Sequence, residues 1–399
     1  MASISWLGRA KKVADVWTLT VTGPIVIGET FTVTIGGKSI TFTATAATTS
    51  NVVSGLVALL TASDAPAEML EADWVASDPA IVMTAKTDYQ GVPIGVTVSE
   101  TSAAGTFVAV NTVVATGPED LAATANYSGG ALPADTDSLF FGAAEYGPKY
   151  NSAALAAITP ALIDISPQAT YDFGLPKINK LGGYTEYRTT HLQFDGCTLF
   201  RVRAGNQSQL MRFNFLAAVA VTAVIEGTGS SSESGVPTLD IIGTVATNAI
   251  EVLDGSVGIA ALANETATMK TIVQSGGTIT CGPGATLGGA ASVLTVGGGT
   301  FNARTNLLTA TVDAGATLNV DESATVTTLT VENGGNVNYR SSGTITTLNA
   351  KGTVDFTGDR SARTITTLNL FPGANLPGME SVTITTLAKD SSVLTLSAA

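Results

Sequence analysis

Four short stretches near the C-terminus set the hydrophobic pattern: Val326-Thr-Thr-Leu329, Ile345-Thr-Thr-Leu348, Ile365-Thr-Thr-Leu368 and Ile384-Thr-Thr-Leu387, their starts 19, 20 and 19 residues apart. Other positions keep step with them. Val312, Val331, Ala350 and Leu370 form one apolar series; Leu318, Val337, Val354 and Leu376 form a second. Gly315 and Gly334 mark one corner, with Gly352 and Gly373 nearby. The residues are β-branched and alternate with period two, which predicts strands, and the period is too short for helix-pair repeats. Such a unit cannot bury its apolar side alone, whereas stacking one unit on the next makes parallel sheets around one continuous interior. The pattern therefore predicts a parallel β-helix (solenoid) with coils of about 19–20 residues over 237–399. Its inward core is Leu329, Val331, Val337, Leu348, Val354, Leu368, Leu370, Leu376 and Leu387. Thr faces outward, and Asn319, Asn338 and Asp355 fall at equivalent offsets where they can stack. Looser copies occur at Met269 to Thr280 and Val293 to Asn302.

Upstream the periodicity changes. Trp17 to Val21 and Phe31 to Ile35 alternate, and Gly36-Gly37 makes a tight hairpin into Ser39 to Thr43. Ser50 or Asn51 is placed to cap a helix carrying Val52, Val53, Leu56, Leu59 and Leu60 on one face. Strands follow at Ala80 to Ala85, Val92 to Val98 and Phe107 to Val114. The expected fold class is mainly β. An N-terminal segment (1–16) precedes a small α+β sandwich module (17–115), and a Gly/Pro-bearing linker (116–136) follows. A mixed β-rich region (137–236) connects to the β-helix (237–399) and caps it. Within it, Asn151 to Ile158 reads as an Ala-rich helix and Gly227 to Gly235 as an exposed loop. A stack has two open ends; the last strand, Val393 to Ser397, leaves the far end thinly protected, as suits covering by a neighbouring copy.

Composition sharpens this picture. Charged residues make up 13% and hydrophobic residues 45%, against roughly 25% charged in an average soluble domain. With so little charge, either Thr, Ser, Asn, Gly and Ala do much of the surface covering or part of the surface is buried against other copies, and a homo-oligomer is expected. A net charge of −13 argues against nucleic-acid binding, which needs clustered Lys and Arg. Arg9, Lys11 and Lys12 form only a short basic stretch, read as solvated. Cys197 and Cys281 have no metal-ligand spacing and read as buried free thiols. The opening MASISWLGRAKKVADVW has no apolar core of signal-peptide length, so synthesis in the cytosol without an export signal is expected. The longest apolar-leaning run, Phe213 to Ile225, is too short to span a membrane.

Catalysis on a β-helix would need carboxylates grouped on one face. The coils offer Asp313, Asp321, Glu322, Glu332, Asp355, Asp359, Arg360 and Arg363. Asp313, Glu332 and Lys351 read as a solvated corner ladder, and Asp359, Arg360 and Arg363 as a salt-bridged surface loop. His191, the single histidine, reads as a polar strand residue without a nucleophile beside it. The glycine run Gly297-Gly-Gly299 lies between strands and is no phosphate loop. No catalytic residue, metal ligand or cofactor site is assigned, and the protein is read as not an enzyme. Tyr171, Tyr184, Tyr187, Asp355 and Asp359 are the candidate glycan or interface contacts.

The stretch Gly28-Glu-Thr-Phe-Thr-Val-Thr-Ile-Gly-Gly-Lys-Ser-Ile-Thr-Phe-Thr-Ala-Thr-Ala46 is followed by Asn51-Val-Val-Ser-Gly-Leu-Val-Ala-Leu-Leu60. With Ile81 to Lys86 and Gly91 to Val98 it resembles a module of tailed-bacteriophage virion and tail proteins. The resembling part covers about a quarter of the chain. The resemblance implies a virion structural protein of the capsid decoration, head-fibre or tail-spike type, partnered by capsid or tail proteins; analogy with β-helical spikes favours a homotrimer. A glycan-binding or glycan-cleaving tail spike, and a cell-surface adhesin or self-assembling filament, are the alternatives.

Overall fold

The computed structural model describes residues 2–101, 104–205, 209–216, 219–229, 236–287, 292–321, 324–358 and 362–390. The chain is mainly β, with a small sandwich module near its start and a parallel solenoid occupying most of the rest.

In the module, strands Val16–Thr22, Ala72–Ser77, Ala80–Ala85 and Thr106–Val113 form one antiparallel sheet, and Thr30–Ile35, Lys38–Thr43 and Val96–Glu100 form another. Gly36 and Gly37 both have positive φ (57° and 79°), as the two-residue hairpin requires. The helix, Thr49–Leu60, buries Val52, Val53, Leu56 and Leu60 into the shared core. Its cap is Thr48, whose hydroxyl accepts from Asn51 N, rather than Ser50 or Asn51. The Asn51 carboxamide instead closes the preceding loop, accepting from Thr45 N and Ala46 N.

The first solenoid sheet has thirteen parallel strands among the described residues. In spatial order they are Ser3–Ser5, Ser138–Phe141, Leu162–Ile165, Leu199–Val202, Thr222–Ile225, Ala249–Val252, Thr271–Gln274, Val293–Val296, Leu307–Val312, Val326–Val331, Ile345–Ala350, Arg363–Leu370 and Val382–Lys389. The second runs from Leu192–Phe194 through Met211–Phe215, Leu239–Gly243, Ser256–Ile259, Thr278–Cys281, Thr300–Ala303, Thr317–Val320 and Asn336–Tyr339 to Thr353–Asp355. Inward residues of both sheets enclose one continuous core.

Three expected boundaries change. First, residues 137–236 are not a separate capping region, because their strands lie in the same parallel ladders as the later coils. Leu162, Leu199, Thr222, Ala249, Thr271, Val293 and Thr309 are ladder-aligned, at spacings of 37, 23, 27, 22, 22 and 16 residues. No fixed period exists there to be read. Second, residues 1–16 are not a solvated leader. Ser3–Ser5 pairs with Ser138–Phe141 and forms the edge strand of the solenoid, and Trp6 is 1% exposed. Trp6 packs edge-on against Tyr127 at 5.3 Å, and its Nε1 donates to Tyr146 O at 2.7 Å. The module is thus an insertion between the first two strands of the sheet. Third, 116–136 is packed rather than a free linker: Leu121 and Tyr127 belong to the solenoid core and Asn126 is buried.

Where the tags repeat, the expected register holds. Leu329 pairs with Leu348 and Leu348 with Leu368; in the second series Leu318 pairs with Val337 and Val337 with Val354. Outside, side-chain amides form ladders. Asn319 Nδ2 donates to Asn302 Oδ1 and Asn338 Nδ2 to Asn319 Oδ1, both at 2.7 Å; Asn369 does the same to Asn349. Leu370 and Leu376 are only partly buried, and Leu387 is 48% exposed. Leu387 departs from the predicted core because its strand, Val382–Lys389, is the last of the sheet among the described residues. The Ala-rich segment forms only a short 3-10 turn, Ser152–Leu155. Val393 to Ser397, Glu322, Asp359, Arg360 and positions 230–235 of the expected loop lie outside the described residues. Cys197 and Cys281 are both buried free thiols.

Candidate functional site

A group of ionisable side chains gathers on the outer face of the second solenoid sheet. Leu192 pairs with Phe213, and Arg212 with Asp240. Since alternate residues face opposite ways, the inward Leu192, Phe213 and Ile241 place His191, Arg212 and Asp240 in one outward row. Such a row would ordinarily meet solvent. Here the segment 260–266 folds across it and brings in Glu265. A tight turn holds that segment, Leu262 N donating to Glu265 Oε2 at 2.9 Å. Gly258, the ladder partner of Asp240, leaves room underneath. A Cβ there would stand 2.7 Å from Asp240 Oδ1.

The result is compact and largely buried. His191 Nε2 lies 3.5 Å from Asp240 Oδ2 and 3.5 Å from Glu265 Oε1. The three groups present ligand-type atoms within 4.8 Å of one another. Asp240 is fully buried and Arg212 is 1% exposed. His191 Nε2 and Asp240 Oδ2 are buried atoms without a hydrogen-bond partner, a costly state for polar atoms away from water. Burial pushes the Glu265 carboxyl up to about 7, with the Asp240 charge adding to it. Burial also opposes ionisation of Asp240, but His191 foremost, then Glu265 and then Arg212, outweigh it and hold its carboxyl below the usual range. A cavity of about 460 Å³ opens alongside, lined by His191, Arg212, Glu265, Lys177, Thr189 and Asn264.

A second ionic group joins the module to the solenoid. Glu71, buried at the end of the module's 3-10 turn Ala67–Glu71, accepts from Arg188 and from the Tyr187 hydroxyl (3.1 Å). Arg188 also binds Glu186 (2.9 Å) and donates from Nε to Pro93 O (2.8 Å), and it stacks 4.3 Å over the Tyr187 ring. Burial pushes the Glu71 carboxyl up to about 7 even beside Arg188.

The residues singled out from sequence scatter over these settings. Tyr187 packs on the module core and stacks with Tyr184 at 6.0 Å, so both sit where module meets solenoid. Tyr171 is a solenoid core residue, 5.1 Å from Phe173, and too buried for a surface glycan. Asp355 extends the Asn338 ladder and accepts from Thr357 N, which with the Thr357 hydroxyl holds its carboxyl low. Glu332 and Lys351 pair at 2.9 Å in the expected corner. Arg363 is not a surface-loop residue: it is 2% exposed and donates to the carbonyls of Ser341 and Phe356. Asp355 and Tyr187 are not brought together with each other or with His191.

Sequence reasoning missed Arg212, Asp240 and Glu265 and undervalued His191. The one visible signal was a charged residue inside two apolar strands, Met211-Arg-Phe and Leu239-Asp-Ile. In a solenoid those are ordinary outward positions; here the crossing segment 260–266 reaches Asp240, and the 173–174 segment packs on Arg212. Compared with protein-family models, curated proteins and solved structures, the chain matches none.

Proposed function

We propose that the protein is a non-enzymatic structural component of a tailed phage or phage-like virion, a capsid decoration, head fibre or tail spike. It attaches through its N-terminal module and projects the solenoid. The observation that carries this reading is the insertion of the module between the first two strands of the solenoid sheet, locked by Arg188 and Glu71. That layout fixes a docking unit at one end of a stiff rod. The low content of charged residues, 13%, agrees with packing against other copies, a trimer being our preferred assembly, and with capsid or tail proteins as partners. Purified particles should contain the protein at a fixed copy number, and removing residues 17–115 should abolish its incorporation. A stable chain that never copurifies with particles would refute the proposal.

A glycan-cleaving spike is favoured by one feature, the carboxylates of Asp240 and Glu265 beside a cavity. The nearest ligand-type atoms of these two carboxylates lie within 4.8 Å of each other. Loss of polysaccharide depolymerisation on Glu265→Gln replacement would establish that alternative; wild-type protein inert on host glycans would remove it.

A further inference from the structure

We propose that His191, Asp240 and Glu265 form a binding site for a divalent transition-metal ion of the zinc type. Their ligand atoms lie within 4.8 Å of one another. Metal–ligand bonds to His nitrogen and carboxylate oxygen are roughly 2.0–2.2 Å in tetrahedral sites; the edge of such a tetrahedron is about 3.4 Å long. His191 Nε2 stands 3.5 Å from one oxygen of each carboxylate, too far for good hydrogen bonds and close to that edge.

Each ligand is also held from behind. His191 Nδ1 lies 3.1 Å from Thr190 Oγ1; a proton on Nδ1 donated to that hydroxyl leaves Nε2 with a lone pair facing the two carboxylates. Glu265 Oε2 accepts from Leu262 N at 2.9 Å, and Asp240 Oδ1 is approached by Ala261 N at 3.5 Å. The atoms left over are Nε2, Oδ2 and Oε1, and the first two are buried without a hydrogen-bond partner. Anchoring of the outer atoms is the arrangement that orients metal ligands.

An imidazole with two carboxylates suits zinc, cobalt or manganese, whereas calcium and magnesium take oxygen sets. Three protein ligands leave a fourth position, and the adjoining cavity of about 460 Å³ gives it access. With a dication, two carboxylates and the Arg212 guanidinium, the loaded site carries a net charge of about +1, each group taken at its ordinary ionic charge. An anionic fourth ligand is therefore favoured over a neutral one. The site is assigned independently of the virion proposal.

The test uses the full chain stripped with a chelator, titrated calorimetrically with zinc and, separately, with cobalt while visible absorption is followed. The expected result is one ion per chain, with the intense absorption of tetrahedral cobalt and no comparable binding of calcium or magnesium. Thr190→Val should weaken binding by about 10- to 100-fold, as loss of an outer partner does; Asp240→Asn and Glu265→Gln should weaken it further. Circular dichroism identifies variants that keep the fold, and Glu265, in the crossing segment rather than a strand, is the one least exposed to folding failure. Absence of saturable binding by the wild type, preference for calcium, or unchanged affinity in folded Glu265→Gln would each overturn the assignment.

Discussion

The four tag leucines are equivalent in sequence but not in surroundings, and truncating each to Ala separates the two. Leu329 and Leu348 are 0% exposed and Leu368 is 2% exposed, each between inward neighbours on adjacent coils, whereas Leu387 is 48% exposed. A buried Leu→Ala change removes transfer free energy and leaves a cavity, costing roughly 2–5 kcal/mol in well-packed sites. Ladder hydrogen bonds above and below limit collapse around Leu329 and Leu348, so about 3 kcal/mol is expected for each. Leu387 forfeits only about half of a transfer term of roughly 2 kcal/mol and leaves no closed cavity, which gives about 1 kcal/mol. Stacked repeats unfold by unit and interface, so the effects should also differ in location. Urea unfolding combined with coil-resolved hydrogen exchange reads both. Leu348→Ala should lower the global midpoint and raise exchange in the coils on either side; Leu387→Ala should accelerate exchange only in Val382–Lys389. Equal costs at the two positions would refute the burial gradient and the placement of that strand last in the sheet among the described residues.

Glu71 titrates at about 7 when folded, against an ordinary value of 4.5. Between these values the folded state binds more protons than the unfolded one, so its stabilising contribution is full below pH 4.5 and lost as pH rises through 7, by about 3 kcal/mol in all. Glu71→Gln should remove that part of the stability slope, and an unchanged slope in urea melts at several pH values would count against it. Trp6→Ala should cost about 3–5 kcal/mol if residues 1–16 belong to the solenoid, and near nothing if they are a solvated leader; thermal unfolding decides. Gly277 has φ 66°, and a Cβ there would lie 2.2 Å from Gly255 O. Gly277→Ala should therefore destabilise by more than about 1 kcal/mol, whereas Gly37→Ala, with open space around it, should strain only its own turn; paired thermal melts compare the two.

What could be read from the chain depended on regularity. First-sheet strands after Leu307 keep a spacing of 19 or 20 residues and their second-sheet partners one of 19 or 17, with aliphatic residues alternating with polar ones, so their register, their inward residues and the Asn319–Asn338–Asp355 row were all legible. The earlier coils obey the same physics with a different filling. Phe194, Phe200, Phe213 and Phe215 pack ring against ring there, Phe200 and Phe213 at 4.8 Å. Segments of unequal length between strands, 166–191 among them, erase the period. Module strands were found through period two and the Gly36-Gly37 turn, while Ala72–Ser77 escaped because Ala-Asp-Trp-Val-Ala-Ser lacks a clean alternation. The long-range pairing of Ser3–Ser5 with Ser138–Phe141 has no local signature. Neither has the cluster of His191, Asp240 and Glu265, whose members meet only through coil stacking and one crossing segment.

One unbroken solenoid carries its module at the end formed by Ser3–Ser5, and its length is a direct measure of that architecture. The thirteen strands among the described residues, stacked at about 4.8 Å, span roughly 58 Å. Electron microscopy of the purified chain, with its mass in solution, reads this most directly. A straight rod of about that length per chain, with a compact lobe at one end, is the expected image. Two separate globules joined by a tether, or a rod confined to the C-terminal coils, would contradict it.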